Sequence, residues 1–532
     1  LTFIHHNQDT RHSRLMKSNL PLFLQYCLAV LPILILLGLM VGPRWSAQKA
    51  GPAAWLCSVG IAILGFGLTP EVFWVSQARG LLLSLYVLAI IWPALLLYNI
   101  INNAGGIRAI ALGLEQAISD RGLLLLLLAW AFSGLLEGLA GFGLPIAIVS
   151  PMLVGLGVNP VISVAAVAVG HAWAVTFGDM GVIIQTLSGV TGIDIAELAP
   201  TAALMLGAAC LLCGLAAARV LHQGRLWLQV LGLGAFMAAA QYALATGGLS
   251  SLAALGAGIA GLLGGILISR PKSRIEKRPP EETRLPRAAF SPALTGALAS
   301  YGGLIVLMTA IALPGPLRAL LYPVIWQSHF PEVSTLTGFV TPAGPGQAFR
   351  PLTHPGSAIL LVALLSYLVY RRTCLSARGD LAAAARATWR SGYPSSVGII
   401  AAVGLSALME HTGMTQLLAE GLAALMGTTF PLASPLVGIL GAFCTGSNNN
   451  SNVLFGPLQK SIAQLLAIDP RLLLAAQTAG GALGSMIAPA KITVGCSTVG
   501  LKGREGDVLR LTLFYGIGIG LLLGGLALLF AR

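Results

Sequence analysis

Charged side chains are scarce in this sequence. Asp, Glu, Lys and Arg make up 9% of 532 residues, where an ordinary soluble domain carries about 25%. Apolar residues reach 56%, and mean hydropathy is +0.84 over the whole length. That combination leaves no room for a large water-facing domain. Alternating strand patterns are missing too: Leu123–Leu128 is an unbroken run of six Leu, which excludes a closed β-barrel. No His-rich or Asp-x-Asp constellation is present, so a membrane-embedded transferase lacks its chemistry. No metal site or cofactor is expected. The few cysteines named by their setting (Cys27, Cys57, Cys210, Cys213 and Cys444) lie in apolar stretches. They are expected to be small buried residues, not disulfides or metal ligands. The first apolar block, Leu20–Val41, is too long for a cleavable signal and lacks a small-residue cleavage motif. Met16-Lys17, just before it, is the expected natural start.

What is present is apolar sequence in blocks of about 20 residues, the length a helix needs to cross the hydrocarbon core. The expected fold is an all-α polytopic membrane protein with about 12–14 transmembrane helices. The formal net charge of +13 points to topology, not nucleic acid, because Lys and Arg gather in connecting segments as cytoplasmic loops do. One segment, Arg270–Arg287, holds Lys272, Arg274, Lys277, Arg278 and Arg284. A second holds Arg371, Arg372, Arg378, Arg386 and Arg390, and the chain start holds Arg11, Arg14 and Lys17. All three are expected on the cytoplasmic side, where anionic lipid would also meet them. The implied organisation is a cytoplasmic segment 1–20, a first membrane half 21–269, a basic loop 270–291 and a second membrane half 292–532. The Pro- and Gly-rich stretch Pro331–Pro355 is expected as a loop on the opposite face.

The two halves echo each other roughly 310 residues apart, the mark of an internal duplication. Asn103-Ala-Gly105 answers His411-Thr-Gly413, and Phe142-Gly143-x-Pro145 answers Phe455-Gly456-Pro457. Val158-Asn159-Pro160 answers Ile468-Asp469-Pro470, Gly170 answers Gly480, and Gly178-Asp179-Met180 answers Gly484-Ser485-Met486. The repeats fall near 95–195 and 400–505. Interrupted apolar segments in matching places of two halves point to a transporter's binding site.

Two such segments stand out. Glu137-Gly-Leu-Ala-Gly141-Phe142-Gly143-Leu-Pro145 interrupts the apolar run from Leu123 to Leu156. Three Gly and a Pro cannot sit quietly in a continuous helix. Unwound backbone at membrane depth is tolerated only against protein or a wet cavity. The start of the next half-helix would favour an anion. The competing explanation is a plain glycine-mediated helix contact, but Glu137 argues for function, since an intramembrane carboxylate is expensive. The second segment is Thr445-Gly446-Ser447-Asn448-Asn449-Asn450-Ser451-Asn452. Its amides and hydroxyls both donate and accept, and so can replace the hydration of a carboxylate, a hydroxyl or a small cation. A solvated interhelical turn is the alternative.

Other polar residues have simple alternatives as well. Asp179 lies within apolar Val161–Leu187 and suits a proton or cation site, or a wet helix end. His171, two turns earlier, titrates near neutrality or serves as a structural hydrogen bonder. Lys491 could neutralise a substrate carboxylate or snorkel to the interface. Gln477 suits interhelical bonding. Glu410-His411 ends a span and is expected to be solvated.

At these segments the chain resembles the lactate permease family. The resemblance rests on Glu137-Gly-x-Ala-Gly-Phe-Gly-x-Pro145, on Thr176-Phe-Gly178 through Thr191-Gly-Ile-Asp194, and on Thr445-Gly-Ser-Asn-x-x-Ser-Asn452 with Val453-Leu-Phe-Gly456. Ala475-Ala-Gln477, Gly480-Gly481, Met486-Ile487, Pro489 and Val499-Gly500 fit too. It implies a bacterial plasma-membrane symporter taking up L-lactate, D-lactate or glycolate with a proton. It also implies two inverted repeats with broken helices or re-entrant hairpins. Asn448 and Asn449, Lys491 in place of a Lys and Gln nearer Ser485 and Ala490, and Asp179 depart from the family pattern.

On this reading Gly141, Phe142, Gly143, Ser447, Asn448, Asn449, Asn450, Ser451, Asn452, Phe455, Gln477 and Lys491 are candidates to hold the substrate. Phe142 and Phe455 would border its apolar end. Glu137, Asp179 and His171 are candidates to carry the proton, since apolar surroundings disfavour a bare carboxylate. Moving an uncompensated anion inward costs about 2.3 kcal/mol per 100 mV, which a co-transported proton removes. Sodium coupling, to which the Asn-rich segment is chemically suited, and transport of another organic anion are the alternatives. A dicarboxylate would want a second cation beside Lys491.

Overall fold

A computed structural model describes residues 20–43, 45–141, 143–269, 291–373, 380–501 and 504–531. The expected cytoplasmic segments 1–20 and 270–291 lie outside the described residues except for Leu20 and Ser291, as do Phe142 and Arg378. Among the described residues the chain is helical apart from two short antiparallel strand pairs. His329–Phe330 pairs with Gly344–Pro345, and Val333–Ser334 with Val340–Thr341. Both pairs fall in the expected 331–355 loop except for His329–Phe330, which lie just before it.

Thirteen helical stretches among the described residues have the length and hydropathy to cross a membrane. Large apolar side chains face outward on them, with Leu64 86% and Leu267 83% exposed. In water such a surface would aggregate; against lipid tails it is at no disadvantage. Burial is graded inward. Over the most apolar 18 residues of each stretch, Arg121–Leu139 is wholly buried, Pro470–Thr498 is 94% and Pro160–Thr191 89% buried, while Leu22–Val41 is only 28% buried. These three innermost stretches carry Glu137, His171, Asp179 and Lys491.

The order of elements recurs. A long helix, Pro70–Asn103 or Asp380–His411, ends in a turn whose glycine, Gly105 or Gly413, has φ of +77° or +80°. A short helix follows, Gly106–Ala117 or Met414–Met426. Next comes a helical hairpin: Arg121–Leu139 with Leu144–Gly155, or Phe430–Thr445 with Asn448–Leu465. Each hairpin turns at a left-handed glycine, Gly143 (φ +81°) or Gly446 (φ +72°), a conformation disfavoured for side-chain-bearing residues. A broken helix closes each unit. Asn159 caps Pro160–His171, which gives way to a 3-10 stretch, a kink at Asp179–Gly181 and the helix Val182–Thr191. Asp469 caps Pro470–Ile487, which breaks at Ala488 before Pro489–Thr498.

The two broken helices cross their hairpins in the same way. A Cβ at Gly170 would collide with the Ala129 carbonyl, and one at Gly480 with the Pro435 carbonyl. Gly170 meets its hairpin at Leu128–Phe132, where the helix widens into a π turn. The Phe-Gly-Pro pairing read from sequence does not hold in space. Phe455–Pro457 lie inside the helix Asn448–Leu465, beyond the tip, whereas Gly143 is itself a tip. Leu- and Gly-rich helices supply such matches by chance.

Other expectations also change. Arg386 and Arg390 fall within the helix Asp380–His411, so the second basic segment is largely helical. Cys27 and Cys57 face outward, while Cys210, Cys213 and Cys444 are buried as free thiols. Cys210 and Cys213 stand three apart on one helix, Ile195–Val220. His411 is buried, 5% exposed.

Gly170→Ala and Gly480→Ala should each destabilise the protein by about 1–3 kcal/mol or more through overpacking against backbone that cannot yield. Thermal unfolding in detergent checks this, and Gly302→Ala, with open space at its Cβ, should leave the midpoint unchanged.

Candidate functional site

The first hairpin unwinds just after Glu137. The helix Ser133–Leu139 ends at Ala140, whose backbone is extended (φ −163°, ψ 100°). The freed Gly141 N–H donates to Asp179 Oδ1, which the kink after Gly178 turns back toward the hairpin. A Cβ at Gly141 would lie 2.6 Å from Glu137 Oε1 and 2.9 Å from Asp179 Oδ1, so both carboxyl groups crowd one point and only glycine fits between them.

Two nitrogen groups face Glu137. Lys491 Nζ stands 3.8 Å from Oε1 and donates to Ser485 Oγ. His171 Nε2 stands 3.9 Å from Oε2, and neither of those atoms has a hydrogen bond. His171 Nδ1 lies 2.7 Å from the Val167 carbonyl, which can only accept. Nδ1 therefore carries hydrogen, and Nε2 presents either a lone pair or a proton to Glu137. Glu137 is 1% exposed and His171 0%.

The second hairpin contributes amides. Its break is narrower than the sequence suggests, confined to Gly446 and the extended Ser447, and Asn448–Asn452 form the first turn of the following helix. Asn448 Nδ2 donates to Thr176 Oγ1 and to the Thr478 carbonyl, both at 3.1 Å. Asn452 Nδ2 donates to Thr478 Oγ1 at 2.7 Å, and Thr176 Oγ1 lies 3.1 Å from Thr478 Oγ1. Thr176 precedes Asp179 on the same kinked segment, so this network joins the amides to the carboxylates. The side-chain oxygens of Asn448, Asn450 and Asn452 and both amide atoms of Asn449 are buried without a protein hydrogen bond. Buried polar groups are otherwise almost always paired, so these atoms form a ready set of contacts for a polar guest.

The two tips meet at one place. A Cβ on Gly143 would lie 3.7 Å from Lys491 Cγ, and one on Gly446 would lie 3.7 Å from Ala490 Cβ. Consecutive residues after the Ala488 break thus touch both hairpins. The backbone donors expected after Gly143 are fewer than the sequence implies. Leu144 N–H is taken by the Gly141 carbonyl, and Pro145 has none.

Not every candidate reaches this centre. Gln477 donates to Ser451 Oγ at 3.1 Å and accepts from Gln459, inside the second hairpin. Ser451 also donates to the Gly438 carbonyl. Phe455 packs against Gly441 within the same hairpin. Thr176, Thr478 and Ser485 belong to the centre although sequence reasoning did not single them out as contacts. The signal was present in the neighbouring residues: Thr176 stands two before Gly178, Thr478 follows Gln477 and Ser485 follows Gly484.

Residues 25–532 match the family described as L-lactate permease. The chain belongs to that family. It is 29% identical over 538 residues to the L-lactate permease of Bacillus subtilis, covering 93% of this chain and 94% of the relative. It is 27% identical over 536 residues to the glycolate permease GlcA of Escherichia coli, covering 94% of each. The L-lactate permease of Salmonella typhimurium is 27% identical, over 93% of this chain and 94% of the relative. Among solved structures, the YdaH transporter of Alcanivorax borkumensis aligns over 96% of this chain and 97% of its own, at 15% identity and a TM-score of 0.45. MtrF of Neisseria gonorrhoeae aligns over 96% of each chain, at 16% identity and a TM-score of 0.45. This L-lactate permease family member is a multi-pass transporter of the bacterial plasma membrane, not an enzyme.

Thr176→Val in this permease-family protein strips one acceptor from Asn448 Nδ2. It should cost about 1–3 kcal/mol, the penalty for orphaning a buried donor, with Thr176→Ser restoring most of it. The unfolding midpoint in detergent decides between them.

Proposed function

We infer that the protein imports small 2-hydroxy monocarboxylates of the lactate and glycolate class together with a proton. The observation that carries this reading is the meeting of both hairpin tips at Ala490–Lys491, with Lys491 also facing Glu137. A single, mostly covered cation between two polar tips, 12% exposed, suits one carboxylate. It does not suit two, which argues against dicarboxylates. The names of the relatives support the same substrate class.

The geometry also suggests how substrate and proton are tied together. Glu137 and Asp179 offer two negative charges at one point, and Lys491 offers one positive charge. A buried charge is tolerated only when compensated. When a substrate carboxylate engages Lys491, Glu137 loses its counter-charge and takes up a proton, with His171 Nε2 beside it to relay that proton. The substrate hydroxyl and remaining carboxylate oxygen then fall to Asn449 and its neighbours, whose amides have no protein partner. Loaded in this way, the site carries no added net charge, so the inside-negative potential does not oppose inward passage.

Sodium coupling is a second reading, favoured by the unpaired side-chain oxygens of Asn448, Asn449, Asn450 and Asn452, which are hard ligands of the type small cations prefer.

Radiolabelled L-lactate uptake into proteoliposomes under an imposed proton or sodium gradient separates the two. Proton-driven accumulation, competed by glycolate and not by succinate, is expected. Glu137→Gln should abolish accumulation while leaving lactate–lactate exchange, because the neutral side chain mimics the protonated state. Accumulation that persists in Glu137→Gln, or drive from sodium alone, would overturn the proton assignment.

A further inference from the structure

A second cation lies outside the centre around Lys491 and has the geometry for a carboxylate. Arg79 lies on the long helix Pro70–Asn103, between its cap at Thr69 and its middle. Its Nε and Nη2 are buried and have no hydrogen-bond partner. No carboxylate among the described residues forms an ion pair with it. These two nitrogens form one edge of the guanidinium, and their N–H bonds point the same way, as a fork that matches the two oxygens of a carboxylate. The group cannot shed its charge; Glu410 acts on it only through space, and the orphaned edge is left to bond an anion.

The surroundings fix the plane of the fork. Phe330 stacks on the guanidinium with 5.0 Å from its carbon to the ring centroid. Gly344, paired with Phe330 in the short sheet, would place a Cβ 3.9 Å from Nη2. The 329–345 loop therefore packs on the arginine, and its Nε–Nη2 edge is left without a hydrogen bond. The second membrane half supplies the other wall. His411 Nδ1 donates to the Ala407 carbonyl at 2.8 Å, and its buried Nε2 has no partner. Glu410 interacts electrostatically with both Arg79 and Lys460, and Lys460 donates to the Thr191 carbonyl. Lys460 lies on the helix that begins at Asn448, about 18 Å further along it at 1.5 Å per residue. The cluster thus sits at the loop-covered end of the same helix whose other end carries the amides.

We propose that Arg79 is a carboxylate-capture site on the loop-covered face, which takes a small monocarboxylate side-on before it passes along the Asn448–Leu465 helix to the hairpin tips. The monocarboxylate rests on the function proposed above; the demand for a small carboxylate rests on Arg79 itself.

The test reads the site directly and transport separately. Phenylglyoxal addition to Arg79, followed by mass spectrometry of the purified protein in detergent, is measured with and without L-lactate, glycolate, acetate and succinate. L-lactate and glycolate should slow addition at Arg79 several-fold, in the wild type and in Lys491→Ala alike. In proteoliposomes Arg79→Lys, which keeps the charge and loses the fork, should raise the KM for L-lactate about tenfold, as expected for losing a charge-assisted hydrogen bond, with the saturated exchange rate retained. Lactate uptake by the wild type with no protection of Arg79 by any of the four acids would overturn the capture site and leave the proposed function standing. Protection by acetate with no lactate uptake would do the reverse. Unchanged KM in a stably folded Arg79→Lys would also overturn it, and if that variant does not fold, the protection result alone decides.

Discussion

Backbone polar groups have no water to turn to inside a bilayer, and every unwound peptide there must find a partner within the protein. The centre of this molecule answers that demand. Two hairpins turn at depth, two helices break at depth, and the four irregular stretches are placed against one another. The Gly141 N–H finds the Asp179 carboxylate, the Thr478 carbonyl finds the Asn448 amide, and both tips close on Ala490–Lys491. Polar residues that would be unaffordable singly become mutually satisfying as a group. What is left over after that pairing, chiefly the amide of Asn449 and the facing atoms of Glu137 and His171, is what the site can offer to something else.

Much of this was legible from residue order. An intramembrane Glu followed by three glycines and a proline marks the first break, and the polar run at 445–452 marks the second, although only Gly446 and Ser447 of that run leave the helix. The N-caps Asn159 and Asp469 before proline mark helix starts by simple capping chemistry. Gly170 and Gly480 keep their register because no side chain fits where they stand. Phe455 and Gln477 were misleading because being near a motif in sequence does not tell which face of a helix a residue occupies. On the helix Asn448–Leu465, Asn448 turns toward Thr176 while Ser451 and Phe455 turn back into their own hairpin. Thr176 and Thr478 were underweighted for the opposite reason, since threonine in a membrane helix usually bonds its own backbone. Arg79 gave no sequence signal, because its unbonded edge becomes visible only when the 329–345 loop is seen to pack on it.

The electrostatic arrangement crosses the two halves. Glu137, His171 and Asp179 belong to the first repeat, and Lys491 and the asparagines to the second. Neither half holds a compensated set of charges alone. Anything that separates the halves leaves carboxylates without their cation, at a cost that falls on the whole fold, not on one helix. The arrangement ties assembly of the two halves to the electrostatics of the site.

The glycine crossings have one more consequence. At Gly170 and at Gly480, backbone lies directly on backbone, and no room remains there for a file of water molecules. A membrane protein with ionisable groups at its centre also needs insulation, or ions would leak through it. Those two seams act as gaskets behind each hairpin. Behind each hairpin, then, the centre is closed by packed backbone, and the open side of the arrangement is the side of the tips.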